Sequence, residues 1–233
     1  MNTAVLTIDD FSSQNTPALV DYLAEKGIPA LFFATGMNVE MHYGEALYAL
    51  KKGFIAGNHS YSHPGFSSIS LEEAIADIEK CEDVLNRLYR DAGVVRKYRP
   101  FRFPYGDKGG KNKAALQQYL KEQHFDKVDD TFIPYPWWRE NNLHRDIDTL
   151  WTFDFEEYRL HHEPGFTKES VFEKMHNPNP PAGAALYGEN QRHILLIHDH
   201  DETEARLPRY YQLFLDKLLK NGVTFVTPEF IRY

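Results

Sequence analysis

The stretch Ala4-Val5-Leu6-Thr7-Ile8-Asp9-Asp10 opens a pattern that the rest of the chain repeats. A short, mostly apolar run ends on two acids, and Thr16-Pro17 behind it is a helix start with proline at the first helical position. Leu19, Val20 and Leu23 then keep helical spacing up to a closing Gly27. The same alternation continues outward: a strand at 30–34, a helix near 39–52 stopped by Gly53, and a strand at 54–57. Ser70 and Glu73 form a capping box ahead of the apolar stripe Leu71, Ile75, Ile78, Leu85 and Leu88, the strongest helix signal in the chain. Further strands are expected near 98–103, 125–128, 149–153, 194–197 and 223–226, with helices near 112–122, 168–176 and 208–220. About eight strands with interleaved helices predict an α/β fold of βαβ units. No glycine-rich phosphate turn follows any of these strands, so a mainly parallel, barrel-like (β/α) arrangement fits better than an open doubly wound sheet. No linker, repeat or low-complexity break interrupts the pattern, and one domain over 1–233 is expected.

Composition narrows the chemistry. At 42% hydrophobic and 26% charged, the 233 residues are those of a globular protein and not of a disordered chain. Lys and Arg number 26 against 34 Asp and Glu, a net charge of −8 with no long basic run, which argues against nucleic acid or an anionic membrane as partner. No apolar run approaches the roughly 18 residues needed to cross a bilayer. The first residues enter the first strand without a basic region or cleavage site, so the expectation is a cytoplasmic chain, or a secreted one whose leader has been removed. Cys81 sits at helical spacing among Ile75, Ile78, Leu85 and Leu88 and reads as a buried core thiol.

In a parallel α/β architecture, functional groups cluster just after the C-terminal ends of strands. Those positions carry Asp9 and Asp10, then Asn58, His59 and His63, then Arg102, Pro104, Tyr105 and Gly106, then Asp154, Glu157 and Tyr158, and finally His198, Asp199 and His200. His59 and His63 lie four apart, so a helical turn would put both imidazoles on one face; with Asp10 they would make three ligands and an open position, as in a catalytic divalent site. Surface or capping histidines and a turn-entry acid pair are the competing readings. Adjacent residues of an extended chain point to opposite sides, which suggests Asp10 as ligand and Asp9 as acceptor of a proton from water that the ion activates. His198 ends an apolar strand and would supply the acid that such a hydrolysis needs, histidine titrating nearest neutral pH.

The ordered series TIDD, HSYSH, RFPYG, DFEEY and LIH resembles the polysaccharide deacetylases of carbohydrate esterase family 4, the NodB-homology domain, over nearly the whole chain. The resemblance implies a distorted (β/α) barrel of seven or eight strands and a metal-dependent removal of acetyl groups from acetylated amino sugars or oligosaccharides, amide hydrolysis being favoured over ester hydrolysis. It implies Asp9 as catalytic base, Asp10, His59 and His63 as ligands of a divalent metal, and Arg102 as the group that orients the base. Zinc is the usual ion, while cobalt, nickel or iron also suit such a donor set. The Tyr105 amide would help hold the oxyanion, His198 would be the general acid, and Leu196 the wall receiving the acetyl methyl. Pro104 belongs to the same third motif and would border the pocket. The fourth motif departs from the usual two aspartates and tryptophan: Glu157 would replace the acid that partners His198, Tyr158 the pocket tryptophan, and upstream Trp151 supports that register. Glu157 would raise the pKa of His198 by charge pairing.

The run Phe132 to Arg139 gathers Tyr135, Trp137 and Trp138 in an expected loop, where rings could stack on sugar or anchor the loop to the core. The proline- and glycine-rich segment 176–191 reads as irregular, covering the site or crossing the surface. His161, His162 and His200 are further candidate ligands. Competing functions are a mononuclear iron oxygenase, a non-catalytic carbohydrate-binding protein, and an amide hydrolase, with or without metal, acting on a non-carbohydrate substrate. Absence of a Gly-x-Ser-x-Gly turn argues against a serine esterase. The sequence leaves the oligomeric state open.

Overall fold

A computed structural model describes residues 2–233. The first half runs β1 (Asn2–Phe11), α1 (Thr16–Lys26), β2 (Ala30–Ala34), α2 (Gly36–Met41), α3 (Tyr43–Lys51), β3 (Ile55–Asn58), α4 (Leu71–Ala92) and α5 (Lys113–Glu122). The second half runs β4 (Lys127–Val128), α6 (Pro136–Glu140), β5 (Phe153–Asp154), α7 (Arg159–His162), α8 (Lys168–His176), β6 (Arg192–His198), α9 (Asp201–Arg206), α10 (Tyr210–Lys220), β7 (Val223–Phe225) and β8 (Phe230–Ile231). No helix among the described residues is long and apolar enough to cross a membrane.

The main sheet is parallel, in the order β3-β2-β1-β6-β5, and β7 pairs with the first residues of β1. Ala4, Val5, Leu6 and Ile8 are almost wholly buried, as a central strand covered on both faces requires. The ring closes through sparse backbone bonds: Phe101 bridges Asn58, Thr149 N donates to Phe101 O at 2.8 Å, and Thr152 N donates to Ile194 O at 2.8 Å. The architecture is a distorted (β/α) barrel.

Three strand expectations need correction, the one at 149–153 reducing to β5 at Phe153–Asp154. Residues 98–103 form an extended segment with a single bridge at Phe101, because Pro100 has no N–H to give a ladder. Residues 125–128 contribute only β4, which pairs antiparallel with the unexpected β8 and stands outside the parallel sheet. The helix expected at 39–52 is broken at His42 into α2 and α3, where the His42 carbonyl accepts from Ser12 Oγ at 3.1 Å.

Helix α4 carries its capping box as the sequence indicates: Ser70 Oγ accepts from Glu73 N at 3.1 Å and Ser70 N donates to Glu73 Oε2 at 2.8 Å, a cap contributing about 1 kcal/mol. Its apolar stripe buries Ala74, Ile78, Cys81, Leu85 and Leu88 against the barrel, and Cys81 Sγ–H donates to the Ala34 carbonyl at 3.3 Å, a core thiol. Segment 176–191 lies along β5, where Ala184 N donates to Thr152 O at 2.8 Å, and does not cover the mouth of the barrel.

Candidate active site

At the C-terminal ends of the strands, parallel register alone sets Asp9 beside His198. The next residue breaks the rule. Pairing between β1 and β2 shifts register between Ile8 and Phe11, and Asp10 takes a left-handed φ of 61° with its carbonyl accepting from Asn38 Nδ2 at 2.8 Å. The bulge turns Asp10 toward the side that Asp9 faces, contrary to the opposite directions expected of an extended chain. Both carboxylates then meet His59: its Nε2 is 3.4 Å from Asp9 Oδ2 and 3.9 Å from Asp10 Oδ1.

The His59 to His63 segment is held by α4 and is not helical. Asn58 Nδ2 donates to Ile78 O and Glu82 Oε1, both at 3.0 Å, while its Oδ1 accepts from Ser60 N at 2.7 Å. Asp77 accepts from Tyr61 N, Ser62 N and Ser62 Oγ. Glu82 is itself buried; burial works against its charge, but Arg96 and Arg99 outweigh that and keep its pKa low. Ser60 (φ 68°) and His63 (φ 58°) adopt left-handed backbone, and this sharp turn, not helical spacing, brings the imidazoles to 4.9 Å between centroids. Together with Asp10, Tyr105 (φ 59°) and Glu156 (φ 55°), five of the nine non-glycine residues with positive φ among the described residues lie at the strand ends around this cleft, a concentration of backbone strain typical of functional sites.

Asp10, His59 and His63 offer ligand atoms within 4.8 Å of one another. The donor set suits a divalent ion such as zinc. His59 Nδ1 lies 2.8 Å from the Arg102 carbonyl, which can only accept, so Nδ1 carries a proton, and in the neutral ring it is Nε2 whose lone pair faces the cluster. Burial pushes the His63 pKa down to about 4, keeping it in the neutral, ligating form. For Asp10 burial works the other way, yet the His200 hydrogen bond and the neighbouring imidazoles hold its carboxyl far below the usual range.

Arg102 is wholly buried and donates to Asp9 Oδ1 at 2.7 Å, Thr7 Oγ1 at 2.8 Å and the Thr149 carbonyl at 2.9 Å, its guanidinium lying over the Phe33 ring at 4.3 Å. One Asp9 oxygen is thereby committed, and the other faces His59. Thr7 was not singled out by sequence, although a lone polar residue in an apolar strand was a visible signal. Opposite, Glu157 Oε1 accepts from His198 N at 2.5 Å and stands 3.1 Å from its Nδ1. Burial lowers the His198 pKa, but Glu157 outweighs it and raises the pKa to about 10. Asp154, also in the cleft, is pushed up to about 6 by burial.

The cleft, about 400 Å³, is lined by Asp9, Asp10, His59, His63, Tyr105, Trp151, Asp154, Tyr158, His162, Leu196, His198 and His200. Pro104, expected to border the pocket, is buried and does not line the cleft; it starts the 3-10 turn that presents Tyr105, itself 71% exposed. Trp137 and Trp138, expected at the pocket, do not line the cleft. They sit on α6, where Trp138 is 2% exposed and donates its Nε1–H to Asp130 Oδ2 at 2.7 Å, while Trp137 stacks on Tyr135. They pack with Leu31, Phe33, Val128 and Ile194, anchoring the segment to the core, which is where indole rings bury the most apolar area. His200, a further candidate ligand by sequence, has its Nε2 2.7 Å from Asp10 Oδ2. His161 approaches Thr203 Oγ1 at 3.0 Å, on the outer side of the same rim.

A family model described as polysaccharide deacetylase matches residues 1–124. The chain is 36% identical over 124 residues to a peptidoglycan-N-acetylglucosamine deacetylase of Bacillus cereus, covering 52% of this chain and 41% of that protein. It is 28% identical over 130 residues to a chitin deacetylase of Arthroderma benhamiae, covering 54% and 35% respectively. The matched region thus spans less than half of either relative. The solved structure of the peptidoglycan deacetylase PdaC from Bacillus subtilis superposes with a TM-score of 0.61 at 23% identity, over 97% of this chain and 87% of that one, a likeness of fold.

Proposed function

The chain belongs to the polysaccharide deacetylase family, carbohydrate esterase family 4, and from that premise we propose that it is a metal-dependent hydrolase removing acetyl groups from acetylated amino sugars or oligosaccharides, with N-acetyl groups preferred. The observation that carries this reading is the meeting of two adjacent carboxylates with two imidazoles at one cleft, one carboxylate tied to a buried arginine and the other turned to the imidazoles. Asp10, His59 and His63 would hold the ion, zinc in the first instance. When bound, a divalent ion there supplies an activated water at neutral pH and polarises an acyl oxygen.

The chain's own residues do the rest. Asp9, oriented by Arg102 through Oδ1, takes the proton of the attacking water on Oδ2. The Tyr105 amide donates to the oxyanion as the new C–O bond forms. His198, kept protonated by Glu157, gives its proton to the sugar nitrogen as the C–N bond breaks, so that water is consumed and acetate and an amine leave. Leu196 would receive the acetyl methyl, while Trp151 and Tyr158 would flank the sugar. The whole chain is taken as one catalytic domain, with acetylated carbohydrate and neither nucleic acid nor membrane as its partner.

The reading is tested by acetate release from a panel of N-acetyl and O-acetyl sugars and oligomers, using native, chelated and zinc-restored protein. Release lost on chelation and regained with zinc is expected; zinc-loaded protein inactive across the panel would shift the reading to a non-catalytic carbohydrate-binding protein or an unrelated amide hydrolase.

A further inference from the structure

The chain leaving β6 alternates: His198, Asp199 and His200 continue in extended backbone, so the two histidines share one side and Asp199 takes the other. Asp199 is buried and accepts from Ser13 Oγ at 2.7 Å and Thr16 Oγ1 at 2.5 Å, tying the segment to the loop after β1. The His200 ring is fixed on three sides. It stacks on His198 (centroids 5.3 Å apart, 28°), meets the His161 ring at 5.7 Å and 82°, and sets Nε2 2.7 Å from Asp10 Oδ2. A carboxylate oxygen only accepts, so Nε2 donates. The other Asp10 oxygen, Oδ1, is the one facing His63 Nε2 at 3.4 Å and His59 Nε2 at 3.9 Å.

We infer that His200 is a positioning residue for the metal centre: by holding Asp10 Oδ2 it fixes the carboxylate so that Oδ1 alone points to the site shared with His59 and His63. The inference rests on the reading of those three residues as metal ligands. Its physical basis is that a carboxylate on a strand bulge can rotate about its side-chain torsions, and a single well-placed donor removes that freedom before the ion arrives. Hydrogen-bond partners of metal ligands are typically worth 10–100-fold in metal affinity. The Asp10 backbone is already pinned by Asn38, so His200 fixes the remaining half of the residue.

The test is zinc affinity of the full chain, measured by competition with a chromophoric chelator for wild type, H200A, H200N and H200Q, with no substrate present. Thermal melts of the metal-free proteins check that each variant folds. H200A is expected to weaken zinc binding by about 10–100-fold, and an amide N–H in H200N or H200Q to recover most of that loss. The visible spectrum of the cobalt-loaded protein is expected to be unchanged in the variant that recovers affinity, since His200 does not touch the ion. Wild-type affinity in H200A, or no recovery in either amide variant, would overturn the inference. A shifted cobalt spectrum in the recovering variant would make His200 a ligand and overturn it as well. Absence of zinc binding by wild type would overturn the metal reading itself, and this inference with it.

Discussion

Glu157 meets His198 twice through one oxygen, accepting from its backbone N at 2.5 Å and lying 3.1 Å from its Nδ1, inside a cleft where burial alone would strip the imidazole of its proton. The pair decides which way His198 titrates. An acid partner for a leaving amine must carry its proton at the working pH, and a pKa raised to about 10 does that.

Removing that charge reverses the shift. In Glu157→Gln the carboxylate is gone while burial remains, so the His198 pKa falls and the alkaline limb of kcat moves down. Because the protonated form is the active one, the variant loses about tenfold or more in kcat at pH 8 relative to its own value at pH 6, while wild type stays level over that interval. A pH profile of kcat for both proteins checks this.

Arg102 and Asp9 form a fully buried ion pair, and truncating one member strands the other. Arg102→Ala is expected to cost about 3–5 kcal/mol of stability, read from urea denaturation. Arg102→Lys keeps the charge but cannot donate to Asp9, Thr7 and the Thr149 carbonyl together, so it falls between the two.

His63 is partly exposed and packs its ring edge-on to Tyr105, so its removal spares the core. His63→Ala should keep the wild-type melting temperature in metal-free form to within a few degrees, a change of about 1 kcal/mol or less, yet lose stoichiometric zinc after dialysis, measured by atomic emission.

The aromatic side chains divide by place. Trp138→Ala is expected to cost about 3–5 kcal/mol by leaving a cavity beside Leu31 and Phe33, with kcat per folded molecule unchanged. Tyr158→Ala, at the cleft, is expected to raise KM for an oligosaccharide with a smaller effect on stability. Denaturation curves and steady-state kinetics on the two variants separate these outcomes.

Much of this was legible because chemistry sits at strand ends. Asp9, Asp10 and His198 follow short apolar runs, and the structure gathers them at one mouth, with Arg102 buried behind Asp9. The bulge at Asp10 was not legible, since the Asn38 side chain that holds the carbonyl of this left-handed aspartate is distant in sequence. Nor was β8, because two residues show no period. Trp137 and Trp138 misled for a physical reason: an aromatic cluster near prolines has the same composition whether it faces sugar or core. His200 was visible as the second histidine of an alternating pair, and only the direction of its Nε2 needed coordinates.

In the proposed reaction Asp9 moves a proton at a metal site that Asp10, His59 and His63 would build without it. The most direct measurement is acetate release from an N-acetylglucosamine oligomer by wild type and Asp9→Asn, each loaded with zinc and matched for bound metal. Expected are one equivalent of zinc in both proteins, steady acetate release by wild type, and a loss of about 10²–10⁴-fold in kcat for the variant. Wild-type turnover by Asp9→Asn at equal zinc occupancy would contradict that role.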